Sequence, residues 1–162
     1  NTMLCEKNMP QGEDIGYVGK ITQVNTELID TLLSAGFTPV IAPIGTDEKA
    51  QSYNINADYA ALHIAKALKA KKLVFMTDVP GILKNVEDPN SFISVLEPEE
   101  ARSLIADGTI SGGMIPKVKS CLEAIEGGVQ NVHILDGRIE HCLLLEFFTS
   151  RGIGTLIHQS GR

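Results

Sequence analysis

Apolar residues along this chain recur at two spacings in turn, every second position and every third or fourth, so strands are predicted to alternate with helices. The stretch 17–24 mixes Tyr17, Val18, Ile21 and Val24 with polar residues, as strands do. Asn25 then reads as an N-cap ahead of Leu28, Ile29, Leu32 and Leu33 at helical spacing, with Gly36 as the stop. A short apolar strand is expected at 38–42, with Pro39 at its start or on an edge. A second helix opens within 54–58, and Ala60, Ala61, Ile64, Ala65 and Leu68 form its apolar stripe. Residues 72–76 make a buried strand that runs into Pro80-Gly81, a turn pair, and 82–94 is less regular, with a turn at 88–90.

Pro98 followed by Glu99 and Glu100 begins a third helix that ends near Gly108. A polar, glycine-bearing loop at 109–113 leads into a fourth helix, with Val118, Cys121, Leu122 and Ile125 on one side and Gly127-Gly128 at its end. A strand at 131–135, a turn at Asp136-Gly137, an apolar helix at 141–148 and a last strand at 154–157 complete the pattern. Residues 1–14 are polar and unpatterned and read as a leading segment, with 15–162 as one domain. This alternation implies an α/β three-layer sandwich, a largely parallel open sheet between helices, and in such sheets ligands collect beyond the C-terminal strand ends.

Composition narrows the function classes. The 162 residues, 43% of them hydrophobic, suffice for a compact core. Fourteen basic against twenty acidic residues give a formal charge of -6, which argues against binding nucleic acid, whose phosphates need a basic face. No apolar run approaches the roughly 20 residues of a spanning helix, and no signal-peptide pattern opens the chain, so no membrane partner is expected. Cys5, Cys121 and Cys142 are odd in number and lack CxxC spacing, so they read as small apolar filler. The first residue is Asn1, not Met, and a longer parent chain is expected.

Three clusters carry possible chemistry. Asn54, Asn56 and Asp58 lie two apart, so an extended backbone would project all three to one side, two amides for a polar substrate and a carboxylate for a cation. Equally, Asn56 or Asp58 caps the helix that follows. Thr77-Asp78-Val79-Pro80-Gly81 closes a strand and could offer backbone groups to a purine edge, or be an ordinary turn. Gly112-Gly113-Met114-Ile115-Pro116-Lys117 puts two glycines before a helix N-terminus, a setting suited to phosphate. Lys117 in a first helical turn opposes the helix dipole, so its place there is either for a ligand or on solvated surface. The loop does not have the GxxxxGK[ST] spacing of a P-loop. His63, His133, His141 and His158 show no metal-ligand spacing, and no GxSxG nucleophile signature occurs.

Taken in order, eight short runs resemble acetylglutamate kinases of the amino-acid-kinase superfamily: Gly16-Tyr17-Val18-Gly19, Asn25, the run from Pro39 to Gly45, Asn54 to Asp58, Thr77 to Gly81, Gly112 to Lys117, His133-Ile134-Leu135-Asp136-Gly137-Arg138, and Gly152-Ile153-Gly154-Thr155. The resemblance spans about 14–157 and covers the C-terminal, nucleotide-binding half of such enzymes. It implies the carbamate-kinase-like fold and transfer of the ATP γ-phosphoryl group to the side-chain carboxylate of N-acetyl-L-glutamate, in arginine biosynthesis. Lys117 then matches the lysine that neutralises the moving phosphoryl group, and Asp58 the aspartate that positions it. Asn54 and Asn56 match acylated-substrate contacts. Thr77, Asp78, Val79 and Gly81, with Gly112, Gly113 and Met114, match the ATP/ADP cradle.

Magnesium is implied to be held mainly by the nucleotide phosphates, with no protein metal site. Glu146 and Gly152 match positions that contact an L-arginine effector; otherwise the helix is core and Glu146 lies on its wet side. The resemblance further implies a cytoplasmic enzyme, or a plastid one in a eukaryote, that is homo-oligomeric at full length. Its first catalytic lysine and glycine-rich loops would lie upstream, so these 162 residues alone are expected to bind nucleotide without turnover. Sibling kinases for N-acetyl-aminoadipate or uridylate, and a non-catalytic nucleotide or amino-acid sensor, are the alternatives.

Overall fold

The computed structural model describes residues 2–85, 87–150 and 152–159. Val86, within the stretch read as irregular, and residues 160–162, within the predicted domain, lie outside the described residues. The chain divides into two compact units, Asn1–Leu68 and Lys69–Arg162.

In the first unit, β1 (Met3–Lys7) and β2 (Gly19–Val24) form an antiparallel pair. β3 (Ile44–Thr46) runs parallel to β1 and antiparallel to β4 (Ser52–Asn54), giving the order β2-β1-β3-β4. The leading segment is therefore not unpatterned. Met3 and Cys5 alternate inward and pack with Ile21, Tyr53, Ile55 and Ala60 in the core of this unit. Two inward residues in five make too short an alternation to stand out among polar neighbours.

The strand expected at 38–42 is also displaced. Those residues pair with no strand, Val40 is 97% exposed, and the ladder starts only at Ile44. Pro39 and Pro43, at either end of the run, have no N–H to give a ladder, which leaves too few consecutive donors for a strand. Helix α1 (Glu27–Ser34) follows β2 with Thr26, not the expected Asn25, at the N-cap position, although the Asn25 side chain still accepts from Glu27 N at 3.0 Å. Helix α2 (Ala57–Ala67) buries Ala60, Leu62 and Ala65.

The second unit holds β5 (Lys72–Thr77), a hairpin of β6 (Ile82–Leu83) and β7 (Phe92–Ile93), β8 (Val95–Leu96), α3 (Pro98–Ala106), α4 (Met114–Glu126), β9 (Asn131–Asp136), α5 (Cys142–Phe148) and β10 (Thr155–His158). Its main sheet has the order β5-β9-β10-β8. β5 runs parallel to β9 over six residue pairs and β10 runs parallel to β8, while β9 and β10 are antiparallel.

Register makes this unit three layers. Phe75 pairs with Ile134, so both point to one face, and the Lys117 Nζ of α4 lies 5.4 Å from the Phe75 ring centre there. Val74 pairs with His133 on the opposite face, where Phe147 of α5 meets the His133 ring edge-on at 5.0 Å. Covered on both sides, Val132, His133, Ile134, Leu135 and Asp136 are all buried, as a central strand between two helical layers requires. Cys5, Cys121 and Cys142 are all buried and fill core space as expected.

Candidate functional site

β5 delivers Thr77 and Asp78 to the C-terminal edge of the second unit's sheet, where Val79-Pro80-Gly81 turns the chain back into β6. Across from that turn, 109–113 leads into α4. The two segments enclose a cavity of about 530 Å³ lined by Thr77, Asp78, Val79, Gly81, Ile82, Leu83, Ile110, Gly113, Met114 and Lys117, among others. Seven of the predicted site residues thus line one cavity. Gly112 is exposed beside them, with a φ of +57° that favours glycine.

The cavity has two chemical halves. Val79, Ile82, Leu83, Ile110 and Met114 give an apolar wall wide enough for a flat ring. Beside it α4 starts after its N-cap Gly113 with no side-chain cap and no acidic residue in its first turn, so no side chain of its own first turn offsets the positive end of its dipole. A Cβ built at Gly112 or Gly113 meets nothing within 4 Å, so their backbone is open to a ligand. Lys117 adds a full positive charge one turn in. Met114 N and Ile115 N already donate to Ser111 O and Gly112 O at 3.3 Å, so the approach for an anion is along the two glycines. Apolar slot, open glycine backbone and lysine together fit a nucleoside polyphosphate. Among the described residues, no three His, Cys, Asp or Glu side chains group as a metal site.

Gly81 does more than turn the chain. With φ at +140°, a Cβ there would lie 2.6 Å from Oγ1 of Thr155. Thr155 is fully buried; its hydroxyl donates to Ile93 O at 2.6 Å and accepts from Ile82 N at 2.9 Å, which pins the hairpin behind the cavity. Sequence reasoning gave Thr155 no role, because only the fold brings residue 155 beside 82 and 93.

The polar trio of the first unit is spread over a strand end and a helix start. Asn54 closes β4, and its backbone N–H donates to Tyr17 O at 2.8 Å. Asn56 is the N-cap of α2, its amide oxygen accepting from Tyr59 N at 3.1 Å, so the capping alternative holds for this residue. That bond uses its oxygen and none of its N–H donors. Both asparagines are exposed, and Asp58 is half-buried in the first turn of α2.

Glu146 is not on a wet face. Its side chain is 5% exposed, although it sits on a helix whose Leu144 and Phe148 are 56% and 81% exposed. Its carboxylate accepts from Ile153 N at 2.7 Å and Gly154 N at 3.0 Å, and its Oε1 lies 2.7 Å from His133 Nδ1. Burial alone would push the carboxyl up, but these bonds outweigh it and hold it below the usual range. Gly152 lies against the same carboxylate, since a Cβ there would come within 2.8 Å of Oε2. The two residues matched to an effector are therefore neighbours around a carboxylate already engaged.

The sequence motif of the amino acid kinase family matches residues 3–136. The acetylglutamate kinase of Caldanaerobacter subterraneus subsp. tengcongensis is 54% identical over 153 residues, covering 94% of this chain and 51% of the relative. That of Syntrophomonas wolfei subsp. wolfei is 53% identical over 156 residues, covering 96% and 54%. The chain spans about half the length of the curated relatives it matches. Among solved structures, N-acetylglutamate synthase from Neisseria gonorrhoeae, complexed with coenzyme A and L-arginine, superposes with a TM-score of 0.87 at 30% identity, over 99% of this chain and 37% of that one. Carbamate kinase from Giardia lamblia bound to AMP-PNP has a TM-score of 0.65 at 21% identity, over 88% and 47%, a likeness of fold. Among the described residues no helix is long and apolar enough to cross a membrane.

Proposed function

The chain belongs to the amino acid kinase family, and from that premise we propose that the cavity between the β5 turn and α4 binds ATP and ADP. The whole natural protein then transfers the γ-phosphoryl group to the side-chain carboxylate of N-acetyl-L-glutamate. One observation carries the nucleotide reading: Lys117 and the uncapped start of α4 line the same cavity as an apolar slot.

A carboxylate is already a nucleophile near neutral pH, so no general base is needed. Catalysis rests on alignment and on neutralising charge at the moving phosphoryl group. Lys117 supplies that charge, and the glycines ahead of α4 let the phosphates approach the positive end of its dipole. Magnesium, bound through the nucleotide phosphates, would neutralise the remainder. Asp58 is assigned, on the family resemblance, the orienting of the lysines that meet the phosphoryl group. Asn54 and Asn56 are assigned the acylated substrate; both are exposed, and the Asn56 cap leaves its N–H donors uncommitted by that bond.

The test is twofold. Calorimetry should show ADP binding to this chain, and the natural full-length protein given ATP and N-acetyl-L-glutamate should yield an acyl phosphate trapped by hydroxylamine. Absence of ADP binding at millimolar concentration would sink the reading. Turnover with uridylate or N-acetyl-aminoadipate in place of N-acetyl-L-glutamate would move the protein to a sibling specificity. Nucleotide binding without any transfer in the natural full-length protein would make it a sensor.

A second reading concerns regulation. Gly152 and Glu146 adjoin at the α5–β10 elbow, and a 30% identical synthase was solved with L-arginine. We propose that this elbow, rather than the nucleotide cavity, is where an L-arginine effector acts on the full-length enzyme. Activity that stays flat across an arginine titration removes this reading and leaves the kinase assignment intact.

A further inference from the structure

The turn after β9 lies outside the cavity lining, yet it is fastened to the turn that forms one cavity wall. In the parallel β5–β9 ladder Asp136 pairs with Thr77, so the chain leaves both strands at the same level. Gly137 N donates to Thr77 O at 2.8 Å and joins the two exits. The approach is close. A Cβ at Gly137 would lie 3.3 Å from the Met76 Cβ, tighter than most such contacts, so a larger residue would push the turns apart.

Asp136 then fixes Arg138 by three bonds. Its Oδ1 accepts from Arg138 N at 3.0 Å and Nε at 2.9 Å, and its Oδ2 accepts from Nη2 at 2.8 Å. The Arg138 side chain is 66% exposed, whereas that of Asp136 is 10% exposed. Exposed arginines ordinarily keep their rotamer freedom; this one is held by a planar, two-pronged contact. Its guanidinium is kept charged first by its bonds to Asp136, then by the Asp136 charge, and also by the negative charge of Asp78. Asp78 lines the cavity, and its Oδ1 accepts from the Thr77 hydroxyl at 3.3 Å.

We infer that Arg138, clamped by Asp136, is a positioning residue for the nucleotide site. Its turn is tied to the Thr77–Asp78 exit through the Gly137–Thr77 bond, and its charge offsets that of Asp78 beside an anionic ligand. A carboxylate at the rim of a polyphosphate site repels the ligand unless a cation is fixed nearby, and a mobile cation would offset it only part of the time. Asp136 is what keeps this one in place. The inference rests on the nucleotide reading of the cavity.

A double-mutant cycle tests it, with ADP affinity measured by calorimetry and thermal midpoints recorded in parallel on the natural full-length protein. R138A is expected to weaken ADP binding about three- to tenfold, and the same change made on D78N to weaken it less than about twofold, because the two side chains act together. Equal losses in both backgrounds, or a lowered thermal midpoint with unchanged ADP affinity, would show a purely structural turn and overturn the proposal. Should R138A be too unstable to assay, R138K takes its place. Lysine keeps the charge but cannot make the two-pronged contact, so ADP affinity must still fall, and wild-type affinity in R138K rejects the idea. Wild-type protein that does not bind ADP overturns this inference together with the nucleotide reading. ADP binding that ignores both arginine variants overturns this inference alone.

Discussion

Oε1 of Glu146 on α5 lies 2.7 Å from Nδ1 of His133 on β9, and the two side chains are only 5% and 7% exposed. The other carboxylate oxygen takes the backbone amides of Ile153 and Gly154. One buried side chain therefore ties helix, central strand and the approach to β10. Any effector acting at this elbow works by disturbing a clip that is already closed.

Removing that clip should be expensive. E146A strands two amide donors and the His133 ring in a space that excludes water, and breaking one side of a buried pair of this kind costs about 3–5 kcal/mol. E146Q keeps an acceptor oxygen and is expected to lose less, about 1–3 kcal/mol. Urea unfolding of both variants checks the order, and E146A as stable as wild type would show that the carboxylate holds nothing.

Asp136 gives a pH prediction with a definite sign. The bonds from the Arg138 side chain, then from its backbone, hold the carboxyl at about 2, against an ordinary value of 3.8. A carboxyl lowered in the folded state stabilises above its unfolded value, and that contribution fades as pH falls through the folded one. Wild type should therefore lose thermal stability between about pH 4 and pH 2 more steeply than D136N, which has no carboxylate to titrate there. Parallel pH–melting curves for the two proteins would contradict this assignment.

Much of the second unit could be read from the chain because its signals are local. β5 holds the apolar run Leu73–Met76, β9 is apolar from Val132 to Leu135 but for His133, and α4 carries Val118, Cys121, Leu122 and Ile125 at helical spacing between glycines. Lys117 stood out because a lysine in a first helical turn opposes the dipole. What escaped the sequence depends on register. Asp136 and Arg138 matter because β9 sets them level with Thr77, and no spacing in the chain states that pairing. The alternative that puts Glu146 on a wet face fails for a related reason. α5 is apolar nearly all round, so its periodicity does not say which side is wet, and the structure buries the charged residue while exposing Leu143, Leu144 and Phe148. In the first unit Pro39 and Pro43 broke a strand whose apolar content had suggested one.

Lys117 should separate charge from fold. In the natural full-length protein K117M is expected to lower kcat about 10²- to 10³-fold, the scale seen when one preorganised charge-stabilising group is removed from a transfer site. K117R restores charge with a different shape and should recover part of that loss. Steady-state kinetics with ATP varied at saturating acceptor make the comparison, and a K117M enzyme with unchanged kcat would take Lys117 out of the catalytic set.

Gly113 offers the sharpest contrast between stability and binding. Its backbone is helical, with φ at -66° and ψ at -13°, and a Cβ there would meet nothing within 4 Å. No conformational demand calls for glycine, so G113A should leave the fold unharmed or stabilise it by about 0.4–1 kcal/mol, since alanine has less freedom to lose on folding. If the glycine is there to let a phosphate approach the start of α4, the added methyl group instead stands between ligand and helix start, and ADP affinity should fall about tenfold with a thermal midpoint equal to or above wild type. Gly112, with φ at +57°, must behave differently: G112A strains the backbone and lowers stability and affinity together. Calorimetry and melting curves on the two variants decide the matter. G113A that binds ADP as wild type does would move the phosphates away from this helix start.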